Sequence, residues 1–100
     1  MAELRRNARQ NHLTLAKQVI SIALERGLQP GEHLPEQAFS EACGVSRTPM
    51  RAAFKILEEN EILSWREEEG YFLETGPQDG LTEAAQQLEE MEDSLATRIL

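Results

Sequence analysis

From Leu13 to Arg26 the apolar positions Ala16, Val19, Ile20, Ala23 and Leu24 recur at intervals of three and four residues, the spacing that lines one face of an α-helix. Gly27 follows as the residue able to turn left-handed at the helix end. Pro30 and Gly31 make a turn, and Leu34 is the apolar residue of a short extended piece. A second, short helix opens at Pro35, whose fixed φ and missing N–H suit a first turn, with Glu36 favoured near the positive end. Its expected buried face is Ala38, Phe39 and Ala42, and Gly44 ends it. Ser46 is placed to cap a third helix by accepting a backbone N–H, and Pro49 falls in the first turn, where its missing donor does little harm.

The third helix runs to about Asn60. Met50, Ala53, Phe54 and Leu57 stand at i, i+3, i+4 and i+7 and form its core face, while Arg47, Thr48, Arg51 and Lys55 occupy the adjoining solvent arc. Two strand-compatible runs, Ile62 to Arg66 and Tyr71 to Thr75, are joined by Glu67, Glu68, Glu69 and Gly70 and read as a hairpin. The segment to Gly80 has linker composition. Beyond it an acidic helix carries Leu81, Ala84, Leu88, Met91, Leu95 and Ile99 on one stripe, which needs a partner surface.

At 100 residues the chain closes one core, or one core plus an appended helix, which excludes a large multidomain enzyme. No apolar run reaches the roughly 18 residues of a membrane span, and the first residues lack a signal-like apolar stretch. The expected location is the cytoplasm, with no membrane partner. The single cysteine, Cys43, excludes an intramolecular disulfide and a thiolate cluster; between Ala42 and Gly44 it reads as a small buried hydrophobe. His12 and His33 have no ligand neighbours at metal spacing, and Trp65 and Phe72 read as core or wing packing. No nucleophile–base or carboxylate pair at catalytic spacing emerges, so an enzyme is not expected. The formal charge of -8 hides a gradient: residues 1–26 carry five Lys or Arg against two acids, whereas 61–100 carry two against eleven. Arg5, Arg6 and Arg9 read as a solvated terminus rather than a minor-groove arm.

Three helices followed by a hairpin, with a tight glycine turn between the second and third helices, is the plan of a winged helix-turn-helix: mainly α with a small β-hairpin, here followed by a C-terminal linker helix. The residues themselves resemble the GntR family of bacterial transcription regulators. Gly27-Leu28-Gln29-Pro30-Gly31-Glu32-His33-Leu34 is similar to its G-x-x-PGE-x-L entry, Gly44-Val45-Ser46-Arg47-Thr48-Pro49-Met50-Arg51 to its GVSRTPVR signature, and Gly70-Tyr71-Phe72-Leu73 to the close of its wing. The division expected is an N-terminal arm over 1–12, the winged domain over 13–75, a linker over 76–80, and over 81–100 the truncated start of a helical effector or dimerisation domain of the FadR-like branch.

The resemblance implies double-stranded DNA as partner, bound by a homodimer on a palindromic operator. Arg47 and Arg51, one turn apart, address guanine edges or phosphates; Ser46 and Thr48 suit phosphates at the helix start; Lys55 reaches the backbone further along. Gln37 stands where the family often has an arginine, Arg66 opens the wing turn, and Gly70 matches the wing glycine that allows close approach to the minor groove. Glu67, Glu68 and Glu69 replace the usual basic or glycine-rich tip, and Glu61 replaces the usual glycine at the end of the third helix, which passes the left-handed role to Asn60. No cofactor is expected in these residues; an effector ligand, with or without a metal, belongs to a further C-terminal domain. The alternative is a protein-interaction module on the same scaffold, with an acidic wing and weak or lost DNA binding.

Overall fold

The computed structural model describes the backbone of residues 2–76 and 80–99 and the side chains of 11–76 and 80–90. The order of elements is α1 (Ala2–Glu25), β1 (His33–Leu34), α2 (Glu36–Cys43), α3 (Arg47–Glu59), β2 (Leu63–Arg66), β3 (Gly70–Leu73) and α4 (Leu81–Ile99). The chain is mainly helical, with one three-stranded antiparallel sheet in the order β1-β3-β2. This is a winged helix-turn-helix followed by a fourth helix.

The expected core face of α3 is buried in full: Met50, Ala53, Phe54 and Leu57 are inaccessible, and Ile56 joins them. They meet Leu13, Ala16, Val19, Ile20 and Ala23 of α1, also buried, while Leu24 is only partly covered. Leu34, Ile62, Leu63 and Leu73 close the core from the sheet side. In α4, Leu81 and Leu88 are buried, the helix packs on α1, and Lys17 approaches Glu89 at 4.0 Å. For its described part, the partner surface that the apolar stripe needs is therefore α1 of the same chain. The side chains of Met91, Leu95 and Ile99 lie outside the described residues, as do the side chains of Arg5, Arg6 and Arg9 and, within the expected linker, Pro77 and Asp79.

Several local expectations are corrected. The first helix begins at Ala2 rather than Leu13. On α2 the inward residues are Phe39 and Ser40, whereas Ala38 and Ala42 are exposed: an eight-residue helix fixes its rotation by one large anchor, here Phe39, and the alanines offer too little area to compete. Pro35 is the N-cap of α2, not its first residue. Ser46 is at the N-cap of α3 with extended backbone (φ -77°, ψ 173°), but its side chain makes no capping bond. The short extended piece at Leu34 is a true third strand: His33 pairs with Phe72 and Leu34 with Tyr71, so the wing is tied to the segment before α2. The strands of the hairpin are shorter than expected, with Leu63 opposite Leu73 and Arg66 opposite Gly70.

At the end of α3 the left-handed residue is Glu61 (φ 61°), not Asn60 (φ -99°). Asn60 instead donates its side-chain amide to the Ile56 carbonyl at 2.8 Å, and the backbone reversal passes to the next residue, which carries a Cβ. Gly44, by contrast, closes α2 in the left-handed region (φ 68°), with its N–H donating to Glu41 O.

A left-handed L-residue costs roughly 1–2 kcal/mol that glycine avoids, part of which glycine gives back as chain entropy. Glu61→Gly is accordingly expected to raise stability to chemical denaturation by about 0.5–1 kcal/mol. Glu61→Ala, which keeps the Cβ, should show no such gain.

Candidate nucleic-acid interface

The amphipathic pattern of α3 fixes which side chains face water. With Met50, Ala53, Phe54 and Leu57 locked inward, Arg47, Thr48, Arg51 and Lys55 are left on the exposed arc. Arg47 makes no hydrogen bond or ion pair among the described residues. Arg51 donates through Nε to Glu36 Oε2 at 2.9 Å, yet its side chain remains 63% exposed while that of Glu36 is 18% exposed. The pair therefore orients Arg51 from one edge of the guanidinium, and its two terminal nitrogens carry no hydrogen bond among the described residues. Lys55 Nζ lies 3.3 Å from Glu58 Oε1, one turn along the helix, and is equally exposed. Each is an ion pair of low net worth in water, open to exchange for another anion.

Two shallow clefts flank this arc. One, of about 440 Å³, lies between α2, the start of α3 and the wing, and is lined by Gln37, Arg47, Arg51, Trp65, Glu69 and Gly70 among others. The second, of about 420 Å³, is lined by Glu36, Arg51, Lys55, Glu58, Trp65 and Tyr71. Within the second cleft the formal charges balance. Gln37, Arg47, Arg51, Lys55 and Gly70 are thus brought to one continuous surface. The amide of Gln37 donates to Glu41 Oε1 at 3.3 Å, a contact within its own helix. Ser46 and Thr48 are exposed at the N-terminus of α3 and line neither cleft; their hydroxyls, beside the positive end of the helix, suit an anion.

Arg66 is not part of this surface. Strand alternation puts Trp65 and Tyr71 on the side of the sheet that faces α3 and Arg66 on the other, where its guanidinium lies 4.0 Å above the Phe72 ring. Gly70 has φ 100°, and a Cβ there would stand 3.0 Å from His33 Nε2. The positive φ itself disfavours a side chain at Gly70, and a Cβ would press on the exposed imidazole of His33, which packs on Phe72 at 5.2 Å.

Three participants escape the sequence. Glu36, the partner of Arg51, is fifteen positions away with no local pattern linking the two. His33 meets Gly70 only through the β1–β3 pairing. Trp65, expected in core or wing packing, is 51% exposed. Burial and the Glu58 carboxylate push the Tyr71 phenol above its ordinary range, so it stays neutral beside Trp65. Cys43 is half-buried, and burial raises its thiol, as suits a packing residue. No group of three His, Cys, Asp or Glu side chains that could hold a metal occurs among the described residues.

A family model described as bacterial regulatory proteins, gntR family, matches residues 12–73. The chain belongs to the gntR family. The match starts within α1 and ends on the last residue of β3, so the gntR segment is the helix-turn-helix with its wing, and α4 lies beyond it. The gntR domain is a DNA-binding regulatory fold, and the exposed arc of α3 is its candidate contact surface. No curated protein and no solved structure matches the chain. No helix among the described residues is long and apolar enough to cross a membrane.

If Arg51 meets a duplex, its Glu36 partner is a competitor, and Glu36→Gln is then expected to tighten binding to a random-sequence duplex at low salt about fivefold, the equivalent of roughly 1 kcal/mol for an exposed pair. Titration of a labelled duplex by fluorescence anisotropy checks this, and an unchanged affinity contradicts the competition.

Proposed function

We propose that this chain is the DNA-binding head of a transcription regulator, acting as a homodimer that sets α3 into the major groove on each half of a palindromic operator. The observation that carries the reading is the division of α3 into a fully buried apolar face and an arc on which Arg47, Arg51 and Lys55 stand exposed, in a domain of the gntR family. Arg47 and Arg51 are the proposed base readers, since each presents a guanidinium fork at the helix start. Ser46, Thr48 and Lys55 take phosphates, and Gln37 adds a neutral donor from α2. Arg66 and the wing tip reach the duplex only in a minor role, because Glu67, Glu68 and Glu69 are exposed there and repel phosphate.

In this reading α4 is the first helix of a FadR-like effector domain, and an effector bound beyond these residues shifts the dimer between operator-competent and incompetent arrangements. The regulator works in the cytoplasm, where its DNA is. The acidic wing favours a second reading, a protein-interaction module that has lost DNA affinity.

Selection from a random duplex pool separates the two readings. Enrichment of a palindrome supports the regulator; no enriched duplex even at low salt favours the interaction module. On the enriched duplex, Arg51→Ala is expected to cost about 1–3 kcal/mol and to flatten the preference at the base it reads. Lys55→Ala should weaken all sequences alike and lower the slope of log affinity against log salt by about one; an unaltered slope contradicts its phosphate contact.

A further inference from the structure

A third cleft, of about 640 Å³, runs beside β2 and is lined chiefly by Glu58, Glu61, Leu63, Ser64, Trp65 and Glu74. Strand alternation puts Leu63 and Trp65 on the side of β2 that faces α3 and Ser64 on the other, yet all three border this one cleft. The cleft therefore follows the edge of the strand, and in the order β1-β3-β2 that edge has no neighbour. The hydrogen-bond parity of the hairpin tells which backbone groups are open there. Glu74 N–H donates to the Ile62 carbonyl at 2.9 Å, so the ladder bonds continue at every second residue, through Ser64 and Arg66. The N–H and C=O groups of Leu63 and Trp65 consequently point away from β3, into the open edge.

Charge decides what can lie along that edge. Glu58, Glu61 and Glu74 border the cleft and no Lys or Arg does; Lys55, which pairs with Glu58, offsets one carboxylate only. Glu61 and Glu74 are exposed and make no ion pair among the described residues. A second copy of β2 would bring the same carboxylates and be repelled, the usual protection of an edge strand. A cationic chain would be attracted, and Trp65, 51% exposed at the far end of the edge, offers an indole face for a guanidinium.

We propose that the open edge of β2 takes up an extended basic segment of a partner protein as a fourth strand. Its backbone pairs with Leu63 and Trp65, and its Arg or Lys side chains meet Glu61, Glu74 and the Trp65 ring. None of Arg47, Arg51 and Lys55 lines this cleft, so the inference goes beyond the DNA-binding reading and does not rest on it. It gives the acidic side of the wing a use that leaves the arc of α3 uncovered.

The probe is a blocked octapeptide alternating Arg and Val, added to the isotope-labelled chain without DNA, with amide hydrogen exchange followed residue by residue by NMR. At saturation the amides of Leu63 and Trp65 are expected to exchange about tenfold more slowly, while those of Ser64 and Arg66, already in the ladder, change little. The same peptide N-methylated at every residue keeps its charge but loses its donors, and should bind about tenfold more weakly. Glu61→Gln combined with Glu74→Gln should weaken the unmodified peptide about 3–10-fold. Binding without added protection at Leu63 and Trp65, or equal binding of the N-methylated peptide, reduces the contact to net charge and overturns strand addition. Failure of the peptide to bind at low salt overturns the docking site. Protection of both amides that rises with protein concentration before peptide is added gives the edge to a second copy and overturns the partner segment. No duplex enters these measurements, so the DNA-binding reading is judged separately.

Discussion

Phe54 is the residue on which the geometry of this domain turns. It is fully buried on α3, meets Phe39 of α2 edge-on at 5.8 Å and Tyr71 of β3 edge-on at 5.1 Å, and through Tyr71 supports Trp65 of β2. Four rings therefore run from the first helix of the helix-turn-helix, through the second, into the wing. Each edge-to-face contact prefers a narrow range of angles and contributes roughly 0.5–1.5 kcal/mol beyond its buried area. The chain of rings resists rotation of α3 about its own axis better than aliphatic packing of equal volume would. Rotation is the motion that matters: turning α3 by one residue's arc would replace Arg47 and Arg51 at the surface with side chains meant for the core.

The same rigidity explains how a chain of net charge -8 presents a face for a polyanion. Fields of exposed charges fade over about 8 Å at physiological salt, so the acid of α4 and the distant loops matters less than what stands beside each cation. Beside Arg51 and Lys55 stand Glu36 and Glu58. Each carboxylate is paired with its cation in the free protein and would have to be displaced or bridged by an arriving phosphate. On the proposed reading, a face of that kind would bind arbitrary DNA weakly and depend on contacts made only in the correct register. Low nonspecific affinity raises the ratio by which one site is chosen over the many competitors on a genome.

How far the sequence disclosed this depends on the range of the interaction. The core face of α3 was legible because its periodicity is local and long, and every member of the Met50, Ala53, Phe54, Leu57 set is buried. On α2 the periodicity spans two turns, so alanines and serine compete on equal terms and the single phenylalanine decides; Ser40 went inward and Ala38 and Ala42 outward. β1 has two residues and no strand pattern of its own, and it exists through pairing with a segment nearly forty positions later. The candidate arc of α3 was readable for the same reason as its core. Arg66 was not: membership of the hairpin makes it a wing residue, but whether it shares the face of Trp65 or of Phe72 depends on the register with Gly70, which only the folded sheet settles.

Gly70 shows how a motif residue can have a cause different from the one its motif implies. A wing glycine invites the explanation that a side chain would strike the duplex. Here a second cause lies within the protein: the backbone at φ 100° disfavours any L-residue, and a Cβ would stand 3.0 Å from the exposed imidazole of His33, which would have to shift by a few tenths of an ångström. His33 reaches that point because Leu34 is drawn into the core and the strand alternates, sending the preceding side chain outward over Phe72. The backbone at the start of β3 thus favours glycine where the third strand joins the hairpin, and the next residue along, Tyr71, pairs with Leu34 and meets Phe54.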